Sequence, residues 1–158
     1  MEVLGIHHVA AAQGPDPGLP GLLAHLGVGV AHTEAADGFV ERMAPVGVSG
    51  GSVQLLEPTG PGTVRRFVDR HGPGLHHLAL AVGDIDAAVA ELVAAGVRMI
   101  DELPRPGGAG TRIAFIHPSA AGGVLLELVE DHLFPVLPSG AVRDAVPVPP
   151  EGRKDVKP

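Results

Sequence analysis

The chain has 158 residues, enough for one domain or for two small modules sharing a core, and an apolar content of 45% supports a packed interior. Aromatic residues make up only 3%, with neither Trp nor Tyr, so that interior must be built from Val, Leu, Ile and Ala. A net charge of −7 without a basic cluster argues against a nucleic-acid surface, the lack of cysteine excludes disulfides and thiolate sites, and no apolar run reaches membrane-spanning length.

Residues 5–11 read as a buried strand, and the Pro- and Gly-dense stretch after them reads as a loop. A short helix is expected over 19–27, stopped by Gly27, followed by strands over 28–33, 39–47 and 52–58. TVRRFVDRHG (63–72) predicts a helix ended by Gly72. The second half is clearer. LHHLALAV (75–82) is a strand, and Asp84 caps a helix that stops at Gly96. VRMI (97–100) predicts a short strand, 102–111 a loop, and 112–118 and 123–130 two further strands. The order β-α-β-β-β is plain there. From residue 132 to 158 the chain is a Pro-rich tail without a periodic apolar face, and an extended or disordered arm is expected. The N-terminal residues lack a basic segment followed by a long apolar run, so no signal peptide is expected and the cytoplasm is the default location.

The chain also repeats itself. GIHHVAA (5–11) returns as GLHHLAL (74–80), and GGSVQLLE (50–57) returns as GGVLLELVE (122–130). His8 and His77 lie 69 residues apart, and Gln54 and Glu127 lie 73 apart, which suggests two similar modules packed together. Side chains alternate along a strand, so one histidine of each pair should face inward. The second shares its parity with Ala10 or Ala79, so His8 and His77 are the expected inward residues, with His7 and His76 on the outer face. An unpaired polar group inside an apolar strand is costly, and one ion shared by His8, Gln54, His77 and Glu127 would account for all of them. Two imidazoles and two oxygens suit a divalent ion of intermediate hardness, such as Co, Mn, Ni, Zn or Fe. Four protein ligands on a six-coordinate ion would leave two positions open for catalysis.

These segments resemble the vicinal oxygen chelate superfamily, and within it the methylmalonyl-CoA epimerases. The resemblance is most specific over residues 52–130, through SVQLLEP, RRFVDRHGPGLHHLALAV, DIDAAVAELVAAGVRMIDELPR and IAFIHPSAAGGVLLELVE, and GIHHVA agrees as well. It implies an α+β fold of two βαβββ modules (1–72 and 73–131) forming one open, cupped β-sheet domain. It places the metal ligands on His8, Gln54, His77 and Glu127. The implied activity is α-proton exchange on methylmalonyl-CoA or a related 2-substituted acyl-CoA through a metal-stabilised enolate. The alternatives are another metal-dependent lyase, isomerase or dioxygenase, or a non-catalytic small-molecule binder. One base is expected at Glu127. The family's second base is a glutamate two residues before a glycine, a position that falls on Ala36. Glu34, Asp37 and Glu41 are nearby, and Asp37 is taken as the substitute. Arg105 and His117 are the expected substrate-binding residues, and a homodimer is expected from the resemblance.

Overall fold

The computed structural model describes residues 1–16, 18–47 and 50–134. The tail expected from residue 132 therefore lies outside the described residues from 135 onward. The strands are β1 (Val3–Ala12), β2 (His32–Ala36), β3 (Phe39–Pro45), β4 (Ser52–Pro58), β5 (Gly74–Val82), β6 (Arg105–Pro106), β7 (Arg112–Ile116) and β8 (Leu126–Glu130). The helices are α1 (Gly18–His25), α2 (Thr63–His71) and α3 (Ile85–Ala94). None of the described helices is long and apolar enough to cross a membrane.

All strands among the described residues join one eight-stranded sheet in the order β2-β3-β4-β1-β5-β8-β7-β6. β1 runs parallel to β4 as β5 runs parallel to β8, and the outer pairs β2–β3, β3–β4, β6–β7 and β7–β8 are antiparallel. The sheet is thus the same four-stranded motif used twice, joined antiparallel at β1–β5. This is the cupped α+β architecture that the repeat and the resemblance led us to expect.

Two chemical faces follow from strand alternation. On the convex face Val82, Ala114, Ile116 and Leu128 pack with Ile85, Ala88 and Val89 of α3. Helix α3 begins where the sequence indicates, because the Asp84 carboxylate accepts a hydrogen bond from the Ala87 amide at 2.9 Å. A smaller cluster of Ala10, Ala12, Leu56 and Val64 seats α2 at one end of the cup. Helix α1 buries none of its residues.

Three local expectations change. The second strand is His32–Ala36 rather than 28–33. The segment 97–100 makes only an isolated bridge between Met99 and Ile116, and β6 forms inside the expected 102–111 loop. The third concerns the central ladder. Ile6 pairs with Leu80 and His8 with Ala79, which leaves His7 as an extra residue. Ala10 pairs with His77 and Ala11 with Leu75, which leaves His76 as an extra residue on the other strand. These two-against-one steps are β-bulges, which bend a strand and re-aim its side chains.

Candidate active site

The concave face holds a cavity of about 510 Å³ lined by side chains from both halves of the sheet. At its floor, His8 of β1, His77 of β5 and Glu127 of β8 converge, and all three are buried. His8 Nε2 lies 3.0 Å from His77 Nε2. Glu127 Oε2 lies 3.1 Å from His8 Nε2 and 3.2 Å from His77 Nε2. Ligand atoms held about 2.1 Å from one ion at right angles stand roughly 3 Å apart, so this triangle has the dimensions of one face of a six-coordinate site.

The unpaired buried oxygens of the site point the same way. Buried polar atoms are normally paired. Among the described residues, Glu127 Oε2 and Gln54 Oε1 are buried without a hydrogen-bond partner. His8 Nε2 and His77 Nε2 lie within 3.2 Å of Glu127 Oε2, yet neither completes a hydrogen bond to it. Gln54 Nε2 donates to Glu41 Oε2 at 3.0 Å. An ionised carboxylate only accepts, so this bond fixes the amide with its NH2 toward Glu41 and leaves Oε1 bare. Two bare oxygens beside two imidazoles suit a divalent cation. His8, Gln54, His77 and Glu127 are thus all buried on the concave face.

Two carboxylates in this cavity have opposite tendencies. Burial raises the pKa of Glu127, but the His77 and His8 imidazoles outweigh it and hold the group down at about 2. Glu41 is shifted up, first by burial and then by the charge of Glu34. Glu41 sits on β3 with Phe39 and Met43, two residues from Met43, which lies directly opposite Gln54. Gly108 of the β6–β7 loop comes so close that a side chain there would collide with the Glu41 carboxylate.

The other expected residues lie farther from the floor. Asp37 is exposed in the β2–β3 turn at the rim of the same cavity. Ala36 also lines that rim. Arg105 stands at the wall with its guanidinium 5.4 Å from the Phe115 ring centre, and its Nε donates to Asp101 at 3.2 Å. His117 does not line the cavity. It caps the turn at Pro118–Ala120, where its Nδ1 accepts from the Ser119 amide at 3.1 Å.

Two features escaped the sequence reading. Glu41 is one: it shares its strand parity with Phe39 and Met43, and a charged residue on an apolar parity is the sequence signal for it. His7 and His76 do not face away from the site. The bulges bring both into the cavity wall, where each is half-buried and makes an Nδ1–Nδ1 contact of 2.8 Å with the histidine that follows it. Burial lowers the pKa of both, that of His76 to about 4.

Comparison with known proteins agrees with this architecture. The model of the Glyoxalase/Bleomycin resistance protein/Dioxygenase superfamily matches residues 43–115. The mitochondrial methylmalonyl-CoA epimerase of Dictyostelium discoideum is 39% identical over 87 residues, which is 54% of this chain and 52% of that protein, so the chain matches about half the length of that relative. Its human counterpart is 30% identical over 128 residues, covering 68% of this chain and 73% of that protein. Among solved structures, methylmalonyl-CoA epimerase from Mycobacterium tuberculosis superposes with a TM-score of 0.74 at 39% identity, covering 81% of this chain and 88% of that one. A methylmalonyl-CoA epimerase in complex with methylmalonyl-CoA and NH4+ gives 0.76 at 33% identity, covering 84% and 98%. The doubled half-barrel and these matches lead to one conclusion: the chain belongs to the glyoxalase/bleomycin resistance protein/dioxygenase superfamily, the vicinal oxygen chelate proteins, where its relatives include methylmalonyl-CoA epimerases.

Proposed function

We propose that the protein epimerises methylmalonyl-CoA or a closely related 2-substituted malonyl thioester by moving the α-proton. The reading is carried by one observation: a buried carboxylate with a raised pKa, Glu41, shares a cavity with a buried two-histidine, one-carboxylate cluster. His8, Gln54, His77 and Glu127 would hold the divalent ion. When bound, that ion supplies positive charge to the substrate oxygens on which negative charge builds as the α-proton leaves.

The residues of the chain do the rest. Inversion needs a base on each side of the carbon. We assign Glu41 of β3 and Glu127 of β8, which come from opposite modules. A general base works best with a pKa near the working pH. Burial moves Glu41 in that direction, whereas its neighbour Asp37 is exposed at the rim. We therefore favour Glu41 over Asp37 as the second base. Gln54 couples the two functions, since its amide NH2 holds the Glu41 carboxylate while its oxygen stays available to the ion. Phe39, Met43 and Phe115 give the cavity apolar walls that limit water near the reacting carbon. Arg105 supplies a cation at the wall for an anionic group of the substrate. Homodimerisation, expected from the resemblance, belongs to the same proposal.

The test is solvent deuterium incorporation into methylmalonyl-CoA. It would be followed by mass spectrometry with protein stripped of metal and protein reloaded with Co, Mn, Ni, Zn or Fe. Exchange that appears only after reloading supports the reading. No exchange with any of these ions sinks it.

A further inference from the structure

Each of the two imidazoles at the cavity floor has a second imidazole behind it. His8 Nδ1 lies 2.8 Å from His7 Nδ1, and His77 Nδ1 lies 2.8 Å from His76 Nδ1. The ring planes meet nearly edge to face in both pairs, at 73° and 78°. The two contacts arise from two matched bulges, one in β1 and one in β5. An ordinary strand would have sent His7 and His76 to the far face of the sheet.

The tautomers follow from the geometry. A ring that offers its Nε2 lone pair to a cation must carry its proton on Nδ1. That proton on His8 points at His7 Nδ1 at hydrogen-bond distance, so His7 Nδ1 must be bare and the His7 proton must sit on Nε2. His7 Nε2 in turn lies 3.7 Å from Asp131 Oδ2. The same reasoning leaves His76 bare at Nδ1 and protonated at Nε2. Among the described residues no carboxylate pairs with His76 in the same way. The Phe67 ring packs on it instead, with centroids 4.8 Å apart.

We infer that His7 and His76 are positioning residues: each accepts the Nδ1–H of the histidine that follows it, and so holds His8 and His77 in one orientation with Nε2 bare toward the ion. Metal-bound histidines usually donate this proton to a carboxylate, a carbonyl or water, and losing such a partner weakens metal binding. Here the partner is a histidine in the preceding position, supplied once by each module. The inference rests on the proposed ion site at His8 and His77.

The experiment uses the full chain and Zn²⁺ itself as probe. His7→Phe and His76→Phe keep a ring and remove the acceptor, whereas His7→Asn and His76→Asn return an oxygen at the place of Nδ1. Competition against a chelator should show Zn²⁺ affinity falling by about 10–100-fold in each Phe variant and recovering in the Asn variants. Melting temperatures of the metal-free proteins should stay together, while the rise on adding Zn²⁺ shrinks only in the Phe variants. Nitrogen NMR of the Zn²⁺-loaded wild type should find His7 and His76 as Nε2–H tautomers. Nδ1–H tautomers at these residues, or Phe variants that bind Zn²⁺ like the wild type, overturn the inference. Failure of the wild type itself to bind any divalent ion would instead overturn the underlying site reading.

Discussion

His8 and His77 change places across the central ladder: His8 pairs with Ala79, and His77 pairs with Ala10. The pair between them is Val9 with Leu78, so a local twofold axis passes through that point. Two parallel ladders repeat the relation, with Ala10 beside Gln54 and Ala79 beside Glu127. Duplication of one strand motif thereby places two imidazoles 3.0 Å apart without any long loop.

Metal removal is the first prediction. Two imidazoles and a carboxylate this close are stabilised by a cation between them. A divalent ion at 100 times its dissociation constant should add about 2.7 kcal/mol of stability. Differential scanning calorimetry with and without a chelator reads this directly. An unchanged melting temperature would count against a site here.

Glu41→Gln should keep metal binding and lose turnover. The Gln side chain is isosteric and can still pair with Gln54, but it cannot accept the α-proton. We expect the epimerisation rate to fall by about 100- to 10,000-fold, the usual contribution of a positioned base. Deuterium should still wash into one epimer through the remaining base. Asp37→Asn should leave the rate near wild type. The reverse ranking would return the role to Asp37.

Gly108→Ala tests the same carboxylate from outside. A Cβ there collides with the tip of the Glu41 side chain, which is flexible enough to move. The protein should fold and bind metal normally, with a lower kcat. Loss of folding instead would show that the β6–β7 loop cannot bear the side chain.

Leu128→Ala addresses stability alone. Leu128 is 1% exposed and packs beneath α3 on the convex face. Removing it should cost about 2–5 kcal/mol in urea unfolding. Metal affinity should be unaffected in the folded protein, because Leu128 points away from the cup.

The doubled motif, the two clear helices and the ligand candidates were legible in the amino-acid order, because they depend on local spacing. A strand's period of two assigns each residue a face, and a repeat names the equivalent positions. The helix cap at Asp84 is local in the same sense. Strand parity groups Glu41 with Phe39 and Met43, but it does not show that this face, rather than Glu34 or Asp37, lies buried over the site. What distinguishes Glu41 is burial against Gln54 across a hairpin and the approach of Gly108 from the other module. The same limit misplaced His7 and His76. A bulge is a mismatch in register between two strands distant in the chain, so alternation along one strand cannot reveal it. Local order therefore determined which residue types were available and on which elements. Only the tertiary pairing of β1 with β5 and β3 with β4 decided which carboxylate lies inside and which face the paired histidines share.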